Sequence, residues 1–285
     1  MNYYCLIAGL PDIEIEDHKL VFSVADFKEE VRPQLSNEDA KLFDLFFIKF
    51  DNKNLLRYLK NKEAIFDEHG NLSKEELENC LQLLKEDSKT ISPFFPSYFE
   101  TFVLEYKEAQ QTDMNTAFWE DRLTELYYQW AINCGNKLIS CWFEFNLNLN
   151  NILAAYACRK YQKEAEPVGD NEVAESIKKS SQRDFGLTGT LDYLDVLQRL
   201  SEESDLFERE KKIDLLKWQW LDEQTFFNYF SIEKVFAYLV KLEIIERWAS
   251  LDPIEGEKLF RILIGNLKEN AMKRQADGGS GPAAG

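Results

Sequence analysis

The chain has 285 residues, a net charge of −17, 45% hydrophobic residues and 14% aromatic ones. This composition excludes global disorder and leaves enough apolar side chain for a core without disulfide staples. The acidity disfavours nucleic acid and anionic lipid, both of which call for a basic face.

Only 7 Pro and 12 Gly occur, which favours long helices over a many-turned β fold. The five cysteines, Cys5, Cys80, Cys134, Cys141 and Cys158, include no CxxC pair and read as buried thiols in a reducing compartment. "MNYYCLIAGLPD" has a short apolar run and no basic region before it, so no signal peptide is expected. No segment approaches the ~20 apolar residues of a membrane span. These features together predict a cytoplasmic location.

In chain order, Tyr3 to Leu10 and Lys19 to Val24 suggest short extended pieces or a small hairpin, the one place where strands are expected. Ser23-x-x-Asp26 signals a helix start. "SNEDAKLFDLFFIKF" opens with a cap at Ser36 and carries Phe43, Phe46, Phe47 and Phe50 at helical spacing. Ser73 and Glu76 make a capping box, and Ser92 to Phe99 is a turn region. A long helical pattern runs from Trp119 to Tyr161, with Gly135 as a bend or close-packing point. Within it, "FEFNLNLNNILAAYACRKY" (Phe143 to Tyr161) alternates apolar and polar residues up to Asn150 and then turns helical in period. After a polar connector, Glu164 to Glu172, helices are expected over Glu172–Ser181, Leu191–Ser201, Leu206–Leu221, Ile232–Leu251 and Pro253–Arg274. The tail "ADGGSGPAAG" reads as disordered.

Motifs for chemistry are sparse. "DEHGNLSKEEL" resembles a calcium loop only through Asp67 and Glu76; a turn and a cap explain it as well. Asp184 to Gly186, "DFG", stands without a glycine-rich loop and reads as a helix end. No GxxxxGK[ST] occurs. His18 and His69 are the only histidines, and neither has a Glu three residues before it, as di-iron bundles need. A two-carboxylate hydrolase remains open, because 51 acidic residues supply many coincidental pairs. No catalytic residue, metal or cofactor is expected.

A pattern recurs about every third of the chain. Asp51, Asn148 and Glu243 lie 97 and 95 residues apart. Five residues before each is an aromatic (Phe46, Phe143, Tyr238), one before is Phe50, Leu147 or Leu242, and three after is Asn54, Asn151 or Glu246. Three unrelated amphipathic helices could match this way by chance. If the repeat is real, the polar residue at plus three falls on an apolar stripe and must find a partner there. Asp51, Asn54, Asn148, Asn151, Glu243 and Glu246 are therefore candidates for structural polar contacts.

"FDNKNLLRYLKNK" (Phe50 to Lys62) resembles the Asp-x-x-Asn-Leu segment of the V-type ATPase central-stalk C subunit. "FAYLVKLEIIERW" resembles the C-terminal signature of that family, carried here by Tyr238, Leu239, Glu243 and Ile244. "YYCLIAGLPD", "GNKLISCWFEFNLNLNNILAA" and "SSQRDFGLTG" resemble a bacterial family of Bacteroides-type organisms, encoded beside V-type ATPase subunits. The resemblance implies an all-α fold of three pseudo-repeated helical units forming a funnel. The units would span approximately 1–110, 111–205 and 206–275 of one domain, with 276–285 as tail. It also implies a non-catalytic socket, peripheral on the inner membrane, between the rotor shaft and the membrane c-ring. Nucleic acid, direct membrane insertion and a small-molecule substrate are not implied. The chain is shorter than typical C subunits, and the arginine after the Asn-Leu element is matched loosely by Arg57. A freestanding acidic helical scaffold or adaptor is the alternative reading.

Overall fold

The computed structural model describes residues 3–15, 22–85, 95–109 and 116–250. Among them are twelve α-helices and no strand, an all-α fold. Helix α1 spans Tyr4–Ala8, α2 Val24–Val31, α3 Asn37–Asp44, α4 Ile48–Lys60, α5 Lys74–Lys85 and α6 Ser97–Glu108. Then follow α7 Thr116–Ile132, α8 Lys137–Lys160, α9 Glu172–Lys179, α10 Leu194–Glu202, α11 Leu206–Thr225 and α12 Ile232–Ser250. The expected helix over Pro253–Arg274, the tail and His18 lie outside the described residues.

Local chemistry sets many of the starts. Ser23 and Asp26 form a reciprocal capping box at α2, as do Ser73 and Glu76 before α5. Ser36, Asn136, Asn171 and Asp205 cap α3, α8, α9 and α11 with their side chains. Each such cap contributes about 1 kcal/mol.

Several expectations need correction. Tyr4–Ala8 is a short helix, not an extended piece. Tertiary bonds hold it: the Tyr3 N–H donates to the Phe230 carbonyl at 2.8 Å, and the Tyr3 hydroxyl bonds Asp39. Gly135 does not bend one helix but separates α7 from α8. Its φ of +83° requires glycine, and a Cβ there would meet nothing within 4 Å. The alternation up to Asn150 is not strand-like either, since α8 is continuous through it. The "DFG" triplet is a turn beyond the end of α9 rather than a helix end, with Phe185 at φ 57° and Gly186 at φ 74°. Buried Phe185 packs under the Arg159 guanidinium, 3.7 Å from the ring centroid. Ser97 to Phe99, expected as turn, belong to α6. All five cysteines are free, but only Cys80 is buried; Cys5 is exposed and the rest are half-buried.

Helix α8 is the hub. It packs on α7, α9, α10 and α12, while α12 also packs on α2, α3 and α11. Its aromatic residues reach three neighbours. Phe145 stacks on Trp220 at 5.0 Å, Phe143 meets Tyr127 edge-on at 5.5 Å, and Phe143 touches Phe236 at 6.1 Å. Buried apolar residues from both ends of the described chain, Tyr3 to Ile245, join one contiguous core. Interiors at such density transmit strain rather than yield to it.

Candidate functional site: polar clamps and a basic cavity

The six polar residues of the repeat sit on α4, α8 and α12, and two of the three pairs do the same job. Asn54 on α4 donates to the Asp67 carbonyl at 2.9 Å and accepts from the Asp67 N–H at 2.8 Å. Asn151 on α8 donates to the Val168 carbonyl and accepts from the Val168 N–H, both at 2.9 Å. In each case one amide closes a two-bond clamp on the connector that follows its helix. Asparagine suits this because one side chain both donates and accepts.

The partner residue three positions earlier secures the next stretch of the same connector. Asp51 accepts from the Asn71 N–H at 2.8 and 3.0 Å and from the Leu72 N–H at 3.0 Å, just before α5. Asn148 accepts from Asn171 at 2.7 Å, and Asn171 in turn caps α9. The α4 connector is pinned further by Lys28, whose ammonium donates to the His69 and Gly70 carbonyls at 3.1 and 2.8 Å. The same connector carries the suggested calcium loop. There Asp67 bonds His69 and Glu76 serves the Ser73 cap, and no metal-binding group of side chains occurs among the described residues.

The α12 pair points elsewhere. Glu243 ion-pairs with Lys49 of α4, and Glu246 accepts from the Val24 N–H at 3.3 Å in the first turn of α2. Tyr238 donates to the Pro11 carbonyl at 3.0 Å, while Leu239 and Ile244 are buried in the core. Of the other asparagines in the Phe143–Tyr161 stretch, Asn146 bonds its own helix at the Trp142 carbonyl, 3.1 Å, and Asn150 is exposed.

Burial pushes the Asp51 carboxyl up to about 6, against the pull of its backbone donors and of Lys28. The folded chain therefore holds this proton more tightly than the unfolded chain does. The resulting stabilisation is complete below the ordinary value of 3.8 and is lost as pH rises through about 6. The loss should be roughly 3 kcal/mol, two pKa units. Asp51→Asn should remove that dependence. Urea unfolding at pH 4.5 and pH 7 would show the stability difference between wild type and variant shifting by about 2 kcal/mol toward the variant at pH 7. A pH-independent difference would mean that Asp51 titrates as an ordinary carboxylate.

The three repeat helices, together with α7 and α11, line one cavity of about 690 Å³. Its charge opposes that of the chain: Lys49, Lys53, Arg57, Lys60, Lys217 and Arg247 face it, against Glu120, Asp214 and Glu243. Each carboxylate is already paired. Asp214 holds Arg247 and the Trp248 indole N–H, Glu243 holds Lys49, and Glu120 lies 3.9 Å from Lys60. Lys53, Arg57 and Lys217 have no ion pair among the described residues. Burial pushes the Lys217 ammonium below the usual lysine value, opposed by the nearby carboxylates of Asp214, Glu243 and Glu210 and aided by Arg247. These cations were missed in the sequence reading. The signal was there, since Lys49, Lys53, Arg57 and Lys60 lie at i, i+4, i+8 and i+11 on one helix face.

No curated protein and no solved structure matches the chain. One family model, described as protein of unknown function (DUF2764), matches residues 1–271. With the match running through both clamps and every residue of the basic cavity, the chain belongs to the DUF2764 family.

Proposed function

We propose that this chain is a non-catalytic central-stalk subunit of a bacterial V-type ATPase, a socket that couples the rotor shaft to the membrane c-ring. One observation carries the reading: the segments that resemble the C subunit, on α4 and α12, meet the Asn-rich α8 around a single cavity. In this reading α4, α8 and α12 are the corresponding helices of three pseudo-repeated units, and the cavity is the mouth of the funnel. Two connectors clamped by amides and one dense core suit a part that must carry torque without yielding. The cavity carboxylates are tied to cations, an arrangement for holding charge rather than for moving protons. No helix among the described residues is long and apolar enough to cross a membrane, in keeping with a peripheral place through the complex.

Loss of a coupling part separates two activities. In membrane vesicles from host cells lacking the chain, ATP hydrolysis by the nucleotide-binding head should persist while ATP-driven ion uptake falls at least ten-fold. Plasmid-borne wild type should restore uptake. Uptake that is unaffected by the deletion would refute the coupling role.

The alternative, a freestanding acidic adaptor, is favoured by one feature. Phe226, Phe227 and Tyr229, between α11 and α12, are exposed together, with Phe227 at 89%. Such a patch suits a protein contact that needs no rotor.

A further inference from the structure

The turn that joins α11 to α12 leaves its rings in water. Phe226, Phe227 and Tyr229 are 61, 89 and 59% exposed. Tyr4 of α1, 54% exposed, lies against Phe230 with ring centroids 4.2 Å apart. Phe226 and Phe227 meet edge-on at 4.9 Å, and Tyr229 lies 6.2 Å from Phe230. Only Asn228 separates the two groups in the chain. Single exposed apolar residues need no explanation, but a group of this kind marks a contact surface.

The surface is held in shape. Thr225 is buried; its hydroxyl donates to the Leu221 carbonyl at 2.7 Å, and its carbonyl accepts from the Asn228 N–H at 3.0 Å. The Phe230 carbonyl is fixed by the Tyr3 N–H. A preorganised surface has less freedom to lose on binding. At these exposures the four rings offer roughly 500 Å² per copy, taking about 200 Å² for a whole aromatic side chain. Two copies face to face would bury roughly 1,000 Å², the size at which a specific contact begins.

Charge selects the occupant. At −17 the chain repels anionic lipid, and it repels a copy of itself over most of its surface. Close to the turn the charges nearly balance. Lys241 pairs with Asp222, and Lys234, whose ammonium lies 6.0 Å from the Tyr229 ring centroid, stands against Glu223 and Glu233. A basic partner would gain from the acidic faces elsewhere and little here. A two-fold contact matches this face to itself, ring edges on ring faces, and closes after two copies.

We propose that this aromatic turn, with Tyr4, is the contact of a two-fold dimer of the chain. The contact calls for neither a rotor nor an adaptor's partner, so it stands or falls apart from both readings of function.

Sedimentation velocity of the full chain from about 1 to about 100 μM should show a single shift from monomer to dimer. Because the copies repel one another through their net charge, association should strengthen several-fold between about 50 and 300 mM salt, the reverse of a contact made by ion pairs. Phe227→Ser/Tyr229→Ser should weaken it at least ten-fold and leave Tm within about 2 °C, because these rings stand outside the core. Ile65→Ser, at a similarly exposed residue on the α4–α5 connector, should alter association less than two-fold. A monomer throughout the range, a dimer indifferent to the double variant, or assembly that continues past the dimer would overturn the proposal. So would a monomer that cosediments with phosphatidylcholine vesicles through Phe227, since the rings would then be a lipid contact.

Discussion

Asn151→Leu should lower the stability of the fold by about 3 kcal/mol, because the change strands both backbone groups of Val168. Asn151 is only 4% exposed, and its amide is the hydrogen-bond partner of the Val168 N–H and carbonyl. Leucine can replace neither bond, and each polar group left unpaired away from water costs about 1–3 kcal/mol. The connector between α8 and α9 would have to move outward to find water, and the Asn171 cap would move with it. Thermal unfolding should show Tm lower by roughly 6–12 °C. Asn146→Ala is the matched control. Asn146 bonds only its own helix, and alanine favours helix, so the change should stay within about 0.5 kcal/mol. Equal Tm values for wild type and Asn151→Leu would mean that the clamp is not formed.

Gly70→Ala should be as damaging, although nothing about its backbone angle demands glycine. Among the described glycines, positive φ is confined to Gly135, Gly169, Gly186 and Gly189. A Cβ on residue 70 would overlap Asp51 Oδ1 and come within 3.2 Å of Asn54 Nδ2. Asp51 cannot simply turn away. It is 1% exposed and held by the N–H groups of Asn71 and Leu72. Moving it would leave a buried carboxyl and two amide donors unpaired, so the connector must shift and pull Leu72 from the core. A loss of about 3 kcal/mol is expected. Gly169→Ala offers the contrast. There φ is +84°, yet the added Cβ would lie 3.7 Å from Leu147 Cδ2, an ordinary contact. Its cost is that of φ alone, about 1 kcal/mol. Urea unfolding of the two variants should rank Gly70→Ala as the worse. The reverse order would show that Asp51 is free to move.

Features fixed by neighbours in sequence were legible, and those fixed by the rest of the fold were not. The caps at Ser23, Ser36 and Ser73 are set within four residues, so the pattern revealed them. That Asn54 and Asn151 need partners followed from their place on an apolar stripe. Who the partners are did not, because the clamps close on backbone 13 and 17 residues downstream, and any residue type supplies backbone. The alternation before Asn150 misled because Trp142, Phe143, Phe145, Leu147, Asn148 and Leu149 are all buried. A helix enclosed on most sides carries no reliable period. Tyr3 to Leu10 misled for another reason: a five-residue helix has little propensity of its own and is set by contacts to Phe230 and Asp39. The cavity was hidden because its charges come from α4, α7, α11 and α12, which only the fold brings together.

Under the proposed socket reading, the overall acidity of the chain suits docking on basic loops of a membrane ring.

The most direct measurement is affinity purification of the tagged chain from gently solubilised membranes of its own host, with every co-eluting protein identified. Recovery of the nucleotide-binding subunits together with the c-ring, weakened as salt is raised, is the result expected of a coupling socket. Recovery of the chain alone from the soluble fraction would contradict it and leave the adaptor reading in its place.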